Sequence, residues 1–384
     1  MLQLSRQGRV YAKIEAAYGV QETLAAANAI RHQSIDFPAD KFNRETLMEK
    51  QTGAGTIAAN RVDRRESAGF SLEAVLRAGG AVNTAPELDP FLVAAFGQTT
   101  SVALSTTVAS GGTTTGATLT SAGGLAVGDP VLITCPDGKK RARFLTSVAG
   151  AVVAWAPALP AAPSNGAAVK GSRRYHLTTV NSKSLTIAHY LVKSDLSAGL
   201  ERQVIGAGVD KMTLNLDANA EPSASFSGDA KSFGDAQTKP GGFTTIGSAP
   251  PSGIVGEAMV GSTALLWLKA KIDIENGLWW RKDEAGVATA SEMIRAKRRS
   301  VGVSLSTHVE DRSLLYDPAI AGTSQALFFQ IGFTEGNILA IRVPLFEVKV
   351  PKTSDGDDVA DWDFAGPANE SADAANDAIT LAVL

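Results

Sequence analysis

The feature that most constrains this 384-residue chain is a two-residue alternation of apolar and polar side chains, repeated through its C-terminal half. In "VDKMTLNLD" the residues Met212, Leu214 and Leu216 share one face, opposite Lys211, Thr213, Asn215 and Asp217. After the turn "ANAEP", the stretch "SASFSGDAKSF" sets Ser223, Ser225 and Ser227 on one face. "LKAKIDIEN" places Leu268, Ala270, Ile272 and Ile274 against Lys269, Lys271, Asp273 and Glu275, and "RSVGVSLSTHVE" gathers Val301, Val303 and Leu305 on one side. A period of two with one apolar side predicts antiparallel strands that cover a core on one face and meet water on the other. "ALFFQIGF", the turn "TEGN" and "NILAIRVPLFEVKVP" extend the pattern into a long hairpin, and one short helix is expected near "DRSLLYDPAI".

The last of these strands, residues 337–351, changes phase. Leu339, Ile341, Val343 and Leu345 occupy odd positions, whereas Phe346, Val348 and Val350 occupy even ones, with Glu347 and Lys349 taking over the odd face. Side chains alternate strictly along a strand, so a one-residue slip moves them all to the other side. Pro344 cannot donate to a ladder, which predicts a bulge or bend at Pro344-Leu345. Two arrangements fit: a barrel corner within one chain, or a strand that serves its own core first and then a neighbouring element or subunit through Phe346, Val348 and Val350.

Length alone allows two or three domains, each able to bury a core. Residues 1–97 carry two helix-like stretches. "SLEAVLRAGG" offers Ser71 as an N-cap and Gly79-Gly80 as a stop. "ELDPFLVAAFG" has Asp89 as cap, Pro90 at the first position and Gly97 at the end, with Phe91, Leu92, Ala95 and Phe96 forming an apolar face. Residues 98–171 differ in texture: 98–128 lack charge, and short β runs punctuated by Gly and Pro follow, as expected of a small β module inserted into a discontinuous parent domain, 1–97 with 172–384.

Composition excludes several function classes. The formal charge of −3 is near balance, which argues against a nucleic-acid-binding surface or an anionic membrane partner. The charge is unevenly placed, with basic clusters at 61–65, 173–174 and 295–299 and the acidic run "SDGDDVADWD". A single cysteine, Cys135, excludes an internal disulfide and a multi-Cys zinc site. No apolar run is long enough for a membrane helix, and the N-terminal stretch, broken by Arg6, Arg9 and Lys13, has no signal-peptide h-region, which fits synthesis in a cytosol.

Catalytic signatures are missing from the sequence: there is no G-x-S-x-G, P-loop, H-E-x-x-H or dinucleotide fingerprint, and His32, His176, His189 and His308 are scattered. Cys135, before a Pro-Asp-Gly turn, reads as a small strand-end residue. "DWDFAG" begins like a calcium loop, but Ala365 and Ala372 stand where ligands are required, so a solvated acidic loop is expected. Trp279 and Trp280 are adjacent and should point to opposite faces, one to a core and one to an interface. The chain calls for no cofactor, no metal and no catalytic residue.

Taken together, "VYAKIEAAYG", "ESAGFSLEAVLRAGG…PELDPFLVAAFG", "VDKMTLNLDANAEPSASFSGDAKSF", "AKIDIENGL…RSVGVSL" and the closing "GNILAIRVPLFEVKVPKTSDGDDVADWDFAGPANESADAANDAITLAVL" resemble the major tail tube proteins of long-tailed, siphovirus-type bacteriophages. The resemblance covers most of 1–97 and 172–384 and rests on pattern and order. It implies a mainly β fold, a β-sandwich or partly open barrel with a flanking α-helix, with 98–171 as an added β domain outside a tube. It implies a virion structural protein: six copies joined into a ring, rings stacked into the tail tube, a tape-measure protein inside, terminator and baseplate proteins at the ends, and DNA passing through without specific binding. Under that reading Thr213, Asn215, Asp217, Ser223, Ser225 and Ser227 face the lumen. Phe346, Val348 and Val350 then meet a neighbour, and Arg61, Arg64 and Arg65 meet Asp355, Asp357 and Asp358 between rings. Alternatives are another ring-forming tail component, a terminator or baseplate hub, and a β-rich carbohydrate-binding protein using the Trp279–Trp280 region.

Overall fold

The computed structural model describes residues 3–37, 42–46, 61–66, 68–179, 182–193, 198–235, 237–244, 249–282, 284–308, 312–353, 361–372 and 375–384. The fold is mainly β, with two short α-helices among the described residues. Its largest sheet is antiparallel and runs, in spatial order, Thr263–Leu265, Gly256–Val260, Gln325–Ile331, Leu339–Phe346, Asp361–Asn369, Ser300–His308, Lys269–Glu275, Lys211–Asp217, Ser223–Ala230, Ala68–Val75 and Ser34–Asp36. Gly97–Ser101, Arg173–Leu177 and Thr380–Val383 form a branch of it beside Leu339–Phe346. A second sheet, Ser232–Phe233, Ala198–Ala207, Leu185–Lys193, Gln3–Ile14 and Ala29–Ile30, shares one hydrophobic core with the first.

The alternation read from the sequence is the alternation of burial. Met212, Leu214, Leu216, Ile272, Ile274, Val301, Val303 and Leu305 all point into the common core, and the intervening residues point out. The helix Asp89–Phe96 sits against both sheets, with Phe91 ring centroids 5.8 Å from Phe70 and 5.3 Å from Phe226 on one side and contacts to Gln3–Ile14 on the other. All six residues from Phe91 to Phe96 are buried, so the helix has no solvent face; an all-round apolar helix belongs in a core. Gly97 takes the left-handed conformation that ends it, as expected, but Leu88 is the N-cap. Asp89 instead accepts hydrogen bonds from Tyr175 Oη at 2.6 Å and Arg173 Nη1 at 3.1 Å.

Two expectations are corrected. Residues 71–75 of "SLEAVLRAGG" belong to a strand, Ala68–Val75, not a helix, and that strand is paired along its length with Ser223–Ala230. Phe70, Leu72 and Ala74 are buried while Ser71 and Glu73 are exposed, so the period of two overrides the helix preference of Leu, Glu and Ala. "DWDFAG" is likewise a strand, Asp361–Asn369, in the middle of the large sheet, with Trp362 and Phe364 inward. The helix near "DRSLLYDPAI" is Tyr316–Ala321.

The phase change in Leu339–Phe346 has a local cause. Opposite it, Gln325 pairs with Phe346 and Leu327 with Val343, so one extra residue is taken up around Pro344-Leu345, a β-bulge. The strand also changes partners there, from Thr380–Val383 before the bulge to Ala368 and Asn369 at its end. Leu339, Ile341, Val343, Phe346 and Val348 consequently join the same core. The bulge cancels the slip, and the strand turns a corner within the chain.

Residues Ser105–Gly171 form a closed antiparallel barrel of six strands with its own core, including Val108, Val131, Ile133, Leu145, Trp155 and Val169. The strand Gly97–Ser101, whose residues 98–101 fall in the module expected from sequence, stays with the body by pairing with Arg173–Leu177. The barrel is fastened to the large sheet. Leu132, Ala142 and Phe144 pack on Phe328, Ile338, Ala340, Ala382 and Leu384. Gln330, fully buried, accepts from Ala142 N at 2.8 Å and donates to Lys140 O at 3.0 Å. Glu257 binds Arg143 at 2.7 Å and Arg141 at 3.3 Å, and Glu335 pairs with Lys140 and Lys170.

Candidate functional site

The outward face of the large sheet is an ordered polar surface. Register fixes its rows. Thr213 lies between Asp273 and Ser225, with Gly302 and Pro367 beyond on one side and Glu73 and Ser34 on the other. Asn215 lies between Lys271 and Ser223, followed by Ser304 and Ala365. Lys211 lies between Glu275 and Ser227, and Asp217 beside Lys269. The face is thus a field of Ser, Thr, Gly and Ala side chains carrying a few charges.

Those charges are balanced in a particular way. On the strands Lys211–Asp217 and Lys269–Glu275 each lysine is paired: Lys211 with Glu275 at 3.0 Å, Lys271 with Asp273 at 2.8 Å and Lys269 with Asp217 at 3.9 Å. Lys352, in register with Asp363 on the same face, has its side chain outside the described residues. Glu275 holds the Lys211 ammonium above its usual range. Exposed pairs of this kind add little stability, so their consequence is the loss of free positive charge. Asp36, Glu73 and Asp363 add carboxylates to the same face, with Glu73 accepting from Ser34 Oγ at 3.3 Å. Two of the pairings are hidden in the sequence, because Lys211 and Lys269 reach partners on a neighbouring strand more than fifty residues away, whereas Lys271 pairs within its own strand.

All six residues expected on this face, Thr213, Asn215, Asp217, Ser223, Ser225 and Ser227, lie on it, on two adjacent strands. The expected contact residues divide differently. Phe346 (0% exposed) and Val348 (4%) are consumed by the chain's own core, because the bulge returns them to the inner side; only Val350, 54% exposed, remains available to a neighbour. Arg61, Arg64 and Arg65 lie in the strand Arg61–Glu66, which pairs with Phe42–Thr46 in a separate hairpin; their side chains are outside the described residues, as are Asp355, Asp357 and Asp358.

The side chains weighed for chemistry are accounted for structurally. Burial pushes the Cys135 thiol up, away from a reactive thiolate. His32 and His189 meet edge to face at 5.7 Å, and burial holds both imidazoles below their usual value. His176 contacts Thr100 Oγ1 and Leu177 O, and His308 lies 2.7 Å from Asp361. Among the described residues no group of His, Cys, Asp or Glu is arranged to hold a metal ion. Trp280 is 6% exposed and Trp279 40%, on opposite sides as their adjacency requires, so they form no stacking platform. No described helix is long and apolar enough to cross a membrane.

A two-sheet β body with a buried helix, an attached barrel and a broad polar sheet whose central lysines are paired has the form of a structural scaffold. The chain matches the phage tail tube protein family over residues 5–381, nearly its whole length, and belongs to that family. No curated protein matches it. It is a structural component of a phage tail, and its family assembles into a tube.

Proposed function

We propose that this chain is the major tube subunit of a siphovirus-type tail, made in the cytoplasm of the bacterial host. Six copies close into a ring by joining their large sheets, rings stack into the tube, and DNA leaves through the bore. A tape-measure protein occupies the bore before ejection, and terminator and baseplate proteins finish the two ends. The polar face of the large sheet lines the bore, and the barrel Ser105–Gly171 stands outside.

The observation that carries this reading is the pairing of Lys211, Lys269 and Lys271 with carboxylates on a face of small side chains. Every free Lys or Arg contact to phosphate adds salt-dependent affinity, so a conduit that must release DNA quickly needs its cations neutralised. A wall of Ser and Thr backed by net carboxylate meets that need.

Negative-stain electron microscopy and sedimentation of the purified protein at rising concentration test the assembly. Hollow, stacked six-fold rings are expected. A chain that stays monomeric at every concentration, and also fails to add to isolated tail-tip complexes, would overturn the reading.

A further inference from the structure

One cleft of about 880 Å³ lies at the end of the large sheet where Ser300 begins its strand and Asn369 ends the neighbouring one. A volume of that size is in the range of small-molecule sites. Three arginines line it, Arg295, Arg298 and Arg299, and Glu370 is the one carboxylate among its described lining residues. Leu177, Val301 and Ala368, all buried, give it an apolar floor.

Two of the arginines are held in place without being neutralised. Arg299 donates from Nε to Asn276 Oδ1 at 2.7 Å and from Nη1 to Thr178 O at 3.3 Å. Asn276 is wholly buried and is itself fixed, donating from Nδ2 to Ala95 O at 2.9 Å and Val209 O at 2.8 Å. Arg295 donates to the same Thr178 carbonyl at 3.1 Å and to Ser182 Oγ at 3.4 Å. All of these acceptors are uncharged, and none of the three arginines forms an ion pair within the described residues. Arg299 Nη2 and Arg295 Nε have no partner, and Arg298, which is exposed, makes no hydrogen bond to the described chain. A carbonyl shared by two guanidinium groups sets like charges side by side. Burial first, and then Arg295, pull the Arg299 guanidinium down to about 9. A bound anion relieves that repulsion.

We propose that this cleft binds a phosphate-class oxyanion, free or carried by a small molecule. Three guanidinium groups against Glu370 leave roughly two positive charges, which a phosphate group at about −1.5 to −2 matches and a single carboxylate does not. A tetrahedral oxyanion also accepts from forks on several sides, whereas a carboxylate fills one. The bonds to Asn276 and Thr178 hold Arg299 and Arg295 ready, so less freedom is lost on binding. Duplex DNA fits the cleft less well: Arg295 and Arg299 are half-buried, out of reach of a continuous phosphate backbone. Every group named belongs to one chain, so the site does not depend on the tube-subunit reading.

Calorimetric titration of the purified chain with inorganic phosphate tests it. One phosphate per chain should bind, displaced by sulfate and not by acetate at the same concentration. Arg298 has no partner in the body, so Arg298→Gln should keep the thermal midpoint and weaken phosphate binding by about tenfold or more. Arg299→Lys, which keeps the charge and loses the fork, is a second variant and should weaken it too. Competition by adenosine monophosphate assigns the site to phosphorylated small molecules, and its failure to compete assigns the site to the free ion. Absence of phosphate binding, or affinity unchanged in Arg298→Gln, would overturn the proposal. So would equal displacement by acetate, which makes the cleft a carboxylate site, or by a short DNA duplex at equal phosphate concentration, which makes it a backbone contact.

Discussion

At the scale of single residues, the body holds a buried carboxylate with both oxygens partnered. Glu15 is buried in the second sheet, where its carboxylate accepts from Gly19 N at 2.8 Å, Gly206 N at 2.7 Å, Ser184 Oγ at 2.7 Å and Thr186 Oγ1 at 3.0 Å. An amide has one acceptor oxygen and brings two donors of its own, so Glu15→Gln leaves donors facing donors. A loss of ~2–3 kcal/mol is expected in denaturant unfolding, with an unchanged slope. His189 gives a pH dependence. Burial, then His32 and Arg202, hold its imidazole at about 4, below the ordinary 6.5. Between those values the unfolded chain binds a proton that the folded chain refuses, so stability falls as pH is lowered through the window and is indifferent to this group above it. Partial exposure limits the loss to roughly 1–2 kcal/mol. Urea midpoints at pH 7 and pH 5 should differ accordingly, and His189→Gln should remove that share of the difference.

At the scale of elements, the barrel is held to the large sheet by an apolar seam and by an ion pair at a buried arginine. Arg143 is wholly buried and its only described carboxylate partner is Glu257. Burial lowers its guanidinium and Glu257 opposes the shift. Glu257→Ala strands a buried cation and should cost ~3–5 kcal/mol, read as a lower thermal midpoint or early loss of the barrel in hydrogen exchange. Excising Ser105–Gly171 outright would uncover Phe328, Ile338 and Leu384, so a deletion that tests assembly needs polar replacements there. What was legible in the sequence follows the same logic. Strands such as Lys211–Asp217, Lys269–Glu275 and Ser300–His308 were readable because one side of each is the core and the other is water. Ala68–Val75 is hard to read because its residues favour helices locally while its full-length partner strand lies about 150 residues away. The fate of Phe346 and Val348 was hidden for a related reason: a bulge shows in sequence as a change of phase, and only the partner strand says which side the phase returns to. Gln330 left a faint signal, a lone amide within "ALFFQIGF".

At the scale of the whole molecule, the proposed role requires one orientation: polar sheet to the bore, barrel outward. The orientation has a functional consequence that substitution can reach. Asn215→Lys with Ser223→Lys adds two cations on a row that otherwise carries Lys271, Ser304 and Ala365 and no carboxylate. Tubes of that variant should assemble but retain DNA, with retention falling as salt rises, whereas the parent should release it at all salt concentrations. A cryo-electron microscopy map of the assembled tube at side-chain resolution tests the central claim most directly. The account predicts six-fold rings in which Thr213, Asn215, Ser223 and Ser225 face an open bore and the 105–171 barrel projects from the outer wall. Rings in which that face is buried against a neighbour, or turned to the outside with the barrel within, would contradict it.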